Sequence, residues 1–480
     1  MRVLAIDQGT SATKAVVFDD DGEILTSVEA AVTPRAVSGG GVEQDPEQLW
    51  ESVLLAGQDA IARSGGGVAA VGFANQGETV LAWDRGTGRP LSTALSWQDR
   101  RAASICAEMA PDAAALTRTT GLPLDPYFAA PKMAWLRRHA TNKGVVTTSD
   151  SWLLHRLTGL YATDATTASR TLLLDLESRT WSEEACAAFG LEGMDLPTVV
   201  GSAQEIGSTD AFGPSLPLSG LSVDQQAALV GEHCLEVGES KCTYGTGAFL
   251  LANAGARPFA SSAGLAVSVA WQLGEDASYC IDGQVYAAGA ALAWLQRWGF
   301  LGRAQDLDEV AASVRDSGGV SVVPSLSGLG APWWRPDALA SIDGIGPGTE
   351  PAHVIRATVD GLAAQVTLLA RAAAEDLGHP LAVLRVDGGL TRSRMLMQTQ
   401  ADLLQIPVEV ASSQHATAAG VAALARLGAG AARTLDEAVH RADSHVRYEP
   451  AISAVEAADR LAGFERAVAR LTGTANTTIP

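Results

Sequence analysis

Residues 2–19, RVLAIDQGTSATKAVVFD, and residues 240–253, SKCTYGTGAFLLAN, share one pattern. An apolar run gives way to a turn rich in glycine and hydroxyl side chains, and a second apolar run leads away. Apolar runs joined by such turn residues predict the two strands of a hairpin. Their recurrence so far apart in the chain predicts an internal duplication, with a period much longer than a solenoid repeat.

Beyond the first hairpin, EILTSVEA (23–30) predicts a third strand of a meander. Asp45-Pro46-Glu47 opens a helix through QLWESVLLAGQDAIAR (48–63), with proline in its first turn. VAAVGFANQGE (68–78) predicts a buried strand ending in a polar loop, and TVLAWD (79–84) another strand. Outward from the second hairpin, GAALAWLQRW (289–298) predicts a helix, SVVPSLSG (321–328) an apolar strand, and residues 353–377 a long helix. LAVLRVDGG (381–389) is a strand ending in a glycine pair, with a helix leaving at 393–404. The small residues of ATAAGVAALARLGAG (416–430) predict a helix packed very closely on its neighbours. Strands alternating with helices indicate an α/β architecture. The best division falls near Gly231, giving lobes 1–231 and 232–480, and no linker-like composition separates them.

The whole-chain numbers agree. At roughly 150 residues per domain, 480 residues make about three units or two large ones. A chain with 47% hydrophobic and 18% charged residues is globular. With 34 basic and 54 acidic residues the net charge is −20, which argues against nucleic-acid or anionic-membrane partners. A nucleotide is not excluded, because a local pocket can supply amides, lysine and a metal. The five cysteines are scattered with no CxxC pair, which fits a reducing compartment and gives no zinc signature. Asp7 interrupts the opening apolar run and no apolar stretch is membrane-length, so neither a signal peptide nor a span is expected, and the expected location is cytoplasmic.

Several residues have the chemistry of a phosphoryl-transfer site. A carboxylate at a strand end, Asp7, can hold a hydrated magnesium ion, and the following Gly9, Thr10 and Ser11 can turn amides toward phosphate oxygens. Lys14 can add a point charge. An ordinary Asp turn in a hairpin is the alternative. Gly245-Thr246-Gly247 repeats the geometry, and two such hairpins face to face form a phosphate clamp. Gly388-Gly389, between a strand and a helix, allows a base or phosphate to approach the backbone. Neither a Walker nor a GxGxxG pattern is present. Asp224, between an apolar strand and a helix, can accept a proton from a substrate hydroxyl, or can serve only as a helix N-cap. Glu78, Trp97 and Tyr127 lie near strand ends, where surface-loop and core-packing roles compete with binding. The histidines show no metal-ligand spacing.

These residues sit in longer blocks: AIDQGTSATKAVVFD, GGVEQDPEQLW, VGFANQGETVLAWDRGTGRPL, SWQDRR, TGLPLDPYFAAPKMAWL, DATTASRTLLLDL, SGLSVDQQAALVG, CTYGTGAFLLAN, GLGAPWWRPDA, IRATVDGLAAQ and LRVDGGLTRSRMLMQTQADLL. In that order they resemble the FGGY carbohydrate kinase family nearly end to end, and its glycerol kinase branch most. The resemblance implies a duplicated, two-lobed actin-like ATPase (ribonuclease H-like) fold with ATP and a polyol or sugar in the cleft. It implies Asp224 as general base and Gln225 as a substrate contact. It implies that Gln76, Gly77, Glu78, Trp97, Tyr127 and Phe249 surround the acceptor. Asp7 matches the magnesium-associated carboxylate, and Thr10, Ser11, Lys14, Gly245, Thr246, Gly289, Gly388, Gly389 and Ser393 match nucleotide positions. By analogy with relatives, a homodimer is expected.

The chain departs from the family pattern in places. Gly77 stands where glycerol kinases carry arginine, which removes five donors and leaves space. The acceptor implied is therefore glycerol or, alternatively, a longer polyol or ketopentose of the erythritol, xylitol or xylulose type. A non-catalytic actin-like ATP-binding regulator is the remote alternative. Lys14 replaces an arginine near the phosphates. Ala293 and Ser393 stand where members often carry glutamine and asparagine. The stretch DAFGPSLPLSG (210–220) lacks the arginine of the fructose 1,6-bisphosphate loop, so no such regulation is expected.

Overall fold

Val3, Leu4, Ala5 and Ile6 have no solvent exposure, which places their strand inside a sheet covered on both faces. The computed structural model describes residues 1–411, 415–440 and 446–474; the end of the expected second lobe, 475–480, lies outside the described residues. Strand β1 (Arg2–Gln8) pairs antiparallel with β2 (Ala12–Phe18), and β2 pairs antiparallel with β3 (Ile24–Ala31). Asp45 then caps α1 (Pro46–Arg63) by accepting from the Glu47 amide, with Pro46 in the first turn. The helix returns the chain so that β4 (Val68–Asn75) runs parallel to β1. Strands β5 (Ala203–Thr209) and β6 (Leu216–Val223) complete the order β5-β6-β4-β1-β2-β3. β6 runs straight into α2 (Asp224–Gly231).

The second half builds the same sheet again. It contains β7 (Ser240–Tyr244), β8 (Ala248–Gly255), β9 (Ala266–Leu273), β10 (Asp276–Val285), α3 (Gly289–Arg297) and α4 (Pro351–Leu377). It continues through β11 (Leu384–Asp387), α5 (Arg394–Leu404), β12 (Val408–Val410), α6 (Ala416–Gly428), β13 (Val446–Tyr448) and α7 (Ala454–Thr472). The order is β9-β10-β8-β7-β11-β12-β13. Reading from β13 to β10, each pairing has the sense of its counterpart from β5 to β3, with β9 as an added edge. The expected duplication is therefore topological: two sheets of one design.

One expected strand lies outside the main sheets, and one is shorter than expected. TVLAWD forms Val80–Trp83, but in a separate five-stranded antiparallel sheet with Arg35–Val37, Gly41–Gln44, Ala94–Leu95 and Val145–Thr148. SVVPSLSG is a strand only over Ser321–Val323, because Pro324 has no amide for the ladder.

The small-residue helix α6 shows how the halves join. A Cβ on Gly420 would lie 1.7 Å from the Ala227 carbonyl, and one on Gly231 would lie 2.0 Å from the Ala416 carbonyl. So α2 and α6 cross with their backbones in contact. The alternation of β1 divides its side chains between two cores. Leu4 and Ile6 face α1, while Val3 and Ala5 pack with Ala418, Val421 and Ala422 of α6. A helix from the second half thus covers the first half's sheet. Among the described residues no helix is long and apolar enough to cross a membrane.

Candidate active site

The carboxyl ends of β1, β4, β6, β7 and β11 open on one cavity of about 370 Å³ between the halves. Ligands of open α/β sheets bind at such strand ends. On the first hairpin, Gly9, Thr10, Ser11 and Lys14 face the cavity. The turn is closed by a Gly9 amide to Ala12 carbonyl bond of 3.0 Å. The Thr10 hydroxyl accepts from the Trp97 indole (2.8 Å), and the Thr10 carbonyl accepts from Gln44 Nε2 (2.8 Å). Gln44 Oε1 in turn accepts from Gln76 Nε2 at 2.9 Å, so side chains link the hairpin to the loop after β4.

On the second hairpin, Gly245 and Thr246 face the cavity. Here the bracing comes from α3: the Thr246 carbonyl accepts from the Ala288 and Ala290 amides, and the Gly245 carbonyl from Gly289 at 3.0 Å. A Cβ on Gly289 would lie 2.7 Å from that carbonyl, which explains the glycine. Gly388 has φ +94° and a Cβ there would lie 2.4 Å from the Tyr244 carbonyl, whereas Gly389 meets nothing within 4 Å and opens on the cavity.

The loop after β4 carries Gly77 and Glu78, both on the cavity wall. Glu78 adopts φ +56°, a conformation rare for a residue with a side chain, which aims its carboxylate inward. Arg170 Nε donates to Glu78 Oε1 at 2.7 Å, and its Nη1 pairs with Asp282 at 2.7 Å. The Arg170 guanidinium also lies 5.8 Å from the Tyr127 ring centroid. Trp97 packs edge-on against Tyr127 (5.9 Å) and Phe249 (5.6 Å), forming an aromatic wall. Lys132 holds the Tyr127 loop by donating to the carbonyls of Pro126, Tyr127 and Phe128. Burial and the Glu78 carboxylate push the Tyr127 phenol well above its usual range.

Asp224 is the first residue of α2, and Val223 occupies the N-cap position. The carboxylate accepts from the Gln225 amide at 2.7 Å and faces the cavity, so it does not close the helix end in the manner of an N-cap. Burial raises its pKa to about 7, reinforced by Asp7 and Glu78 and opposed by Lys241. Asp7 is raised to about 6, again by burial first, with the cross-strand Lys14 opposing. Gln225 lines the cavity, and its amide oxygen accepts from Lys241 Nζ at 2.6 Å.

Three expected positions lie behind the wall. Gln76 is buried with its side chain on Gln44, Gly289 braces the second hairpin, and Ser393 caps α5 while donating to Asp308. Residues that sequence reasoning left without a role include Arg170, Lys241, Asp282 and Asp387. Arg170 is a lone cation in the otherwise neutral stretch 165–174, and Lys241 is a cation within the apolar first strand of the second hairpin; both prove buried, which was the available signal. Asp387 lines the cavity before the glycine pair, and its buried Oδ1 lacks a hydrogen-bond partner.

The model of the FGGY carbohydrate kinase N-terminal domain matches residues 2–231, and that of the C-terminal domain residues 240–429. The chain belongs to the FGGY family of carbohydrate kinases. It is 42% identical to a glycerol kinase of Thermus brockianus over 98% of each chain. Plasmodium falciparum glycerol kinase, solved with ADP, superposes with a TM-score of 0.88 at 29% identity over 99% of each chain. A ligand-bound xylulose kinase from Lactobacillus acidophilus reaches a TM-score of 0.86 at 21% identity over 99% of each chain, a likeness of fold alone. This FGGY kinase has its actin-like architecture in common with enzymes of different acceptors, so the acceptor must be read from the cavity wall.

Proposed function

We propose that this FGGY kinase transfers the γ-phosphoryl group of ATP to a terminal hydroxyl of glycerol. One observation carries the reading. Asp224, with a pKa raised to about 7, faces a cavity between a polar-aromatic wall and two glycine-threonine hairpins. A carboxylate poised near neutrality is suited to take a hydroxyl proton. The acceptor oxygen bonds to the γ-phosphorus, the bond to the β–γ bridging oxygen breaks, ADP leaves, and the proton goes to Asp224. Glu78, Tyr127 and Gln225 offer hydrogen bonds to acceptor hydroxyls, while Trp97 and Phe249 pack on its carbon face. Thr10, Ser11, Lys14, Gly245 and Thr246 are assigned to the phosphates, and Gly388 and Gly389 to the rest of the nucleotide. Gly289 acts by bracing the second hairpin. In this scheme residues 1–231 supply the acceptor side apart from Phe249, and 232–480 most of the nucleotide side.

Among the described residues no cluster of three or more His, Cys, Asp or Glu forms a ready metal cage. Magnesium with nucleotide needs only one or two carboxylates, with water and phosphate completing its shell. Asp7 fits that demand, with the unpartnered Asp387 Oδ1 on the same cavity. The ion, when bound, supplies positive charge to the phosphates.

A second reading keeps the reaction and lengthens the acceptor to a four- or five-carbon polyol or ketose, because Gly77 offers that wall no side chain. A coupled ADP-release assay with glycerol, erythritol, xylitol and xylulose tests both. Glycerol-dependent release supports the first reading, preference for a longer acceptor supports the second, and no acceptor-dependent release overturns both.

A further inference from the structure

Glu78 and Asp224 leave the ends of neighbouring parallel strands, with Asn75 of β4 opposite Val223 of β6. The residues immediately before these two carboxylates, Gly77 and Val223, meet. A Cβ on Gly77 would lie 2.9 Å from Val223 Cγ2, closer than such atoms come in folded proteins. Val223 is 2% exposed and has a single stiff torsion, so its methyl has nowhere to swing. Gly77 is not among the glycines with positive φ, so backbone freedom does not explain it. What the position requires is space.

We infer that Gly77 and Val223 form a matched pair that sets the width of the acceptor pocket and admits acceptors longer than three carbons. This deepens the acceptor reading above and rests on it. A side chain at 77 must displace either Val223, and with it the start of α2 and Asp224, or the loop carrying Glu78. Arg170 ties that loop to Asp282. Either movement changes the distance between the two carboxylates that bracket the acceptor. With no side chain at 77 and valine filling the space behind it, the acceptor meets bare backbone on this wall.

The test is a double-mutant cycle read by acceptor kinetics and by melting. Gly77→Ala should lower kcat/KM for every acceptor at least tenfold, leave the KM for ATP within twofold, and lower Tm by about 2–4 °C. Adding Val223→Ala should recover most of the Tm and of the glycerol activity. The double variant still carries a methyl on the acceptor wall. Its five-carbon to three-carbon ratio of kcat/KM should therefore fall at least fivefold below the wild-type ratio. Tolerance of Gly77→Ala, or no recovery in the double variant, overturns the pair. An unchanged ratio overturns its role in size selection. A wild type inert toward every acceptor overturns the acceptor reading and the size selection with it, and the melting cycle still decides the contact.

Discussion

The two halves share a sheet design but present different chemistry at equivalent strand ends. In the first half, Asp7 near the end of β1, Glu78 in the loop after β4 and Asp224 just past β6 face the cavity, so acids dominate. In the second, the hairpin after β7 and the junction after β11 present Gly245-Thr246 and Gly388-Gly389, with Asp387 as the acid beside them, so backbone dominates. The bracing differs to match. Side chains of Trp97, Gln44 and Gln76 hold the first hairpin, while amides of α3 hold the second. Side-chain acids can be tuned by neighbours, as Asp224 is; backbone amides carry fixed dipoles and need only rigid placement. In the proposed reaction, proton handling falls to the first half alone, while the two hairpins share the phosphates.

The largest difference between the halves should appear when the acid is neutralised. Asp224→Asn should lower kcat by about 10²–10⁴-fold while leaving nucleotide binding, read by calorimetry, within a few-fold. It should also stabilise the protein above pH 7. The folded-state pKa of Asp224 is raised to about 7, so the folded form binds the proton more tightly than the unfolded form. Stability from this group is present at low pH and is lost as pH rises toward 7. Asparagine removes that loss, and a gain of about 1–3 kcal/mol at pH 8 is expected in denaturant melts. A variant that is both active and no more stable would remove Asp224 from the base role.

The glycine side is broken differently. At Gly388 a methyl meets the Tyr244 carbonyl at 2.4 Å with φ at +94°, while at Gly389 it meets nothing. Gly388→Ala should therefore cost about 3 kcal/mol or more of stability and weaken nucleotide binding about tenfold or more. Gly389→Ala should keep the wild-type Tm and affect only nucleotide affinity. Equal Tm losses in the two variants would contradict this separation.

A pH profile sharpens the contrast without mutation. A base must be deprotonated, so acceptor kcat/KM should fall about tenfold per unit as pH drops below about 7 and level off above it. The binding constant of ADP alone should show a weaker dependence, because the hairpin amides do not titrate. The acid limb should vanish in Asp224→Asn.

Much of this was legible in the sequence, and the unread part has a physical pattern. Both hairpins, the helix after Asp45 and the close-packed 416–428 helix follow from apolar runs, a cap and small residues, which are local signals. Asp7, Glu78 and Asp224 stood out as candidates near strand ends, but the family resemblance chose cavity roles for them over a turn, a surface loop and a helix cap. What escaped is what acts through space. Ser393 faces Asp308 rather than the cavity, and Val223 closes on Gly77 from an adjacent strand. Arg170 is separated from Glu78 by 92 residues, and no local pattern brings them together.

Arg170 is one of several ties between the two halves, which makes it the subtlest test. It joins Glu78 of the first half to Asp282 on β10 of the second, and all three side chains are buried. A guanidinium can serve two carboxylates at once with planar geometry, whereas a single ammonium on an unbranched stem cannot reach both equally. Arg170→Lys keeps the charge, so the buried acids are not abandoned and folding should survive with a small Tm loss. Glu78, however, loses its fixed direction toward the cavity. The acceptor KM should rise about three- to tenfold with a smaller change in kcat, and the KM for ATP should stay put. If ATP and acceptor KM rise together, Arg170 is holding the halves as a whole and not orienting Glu78.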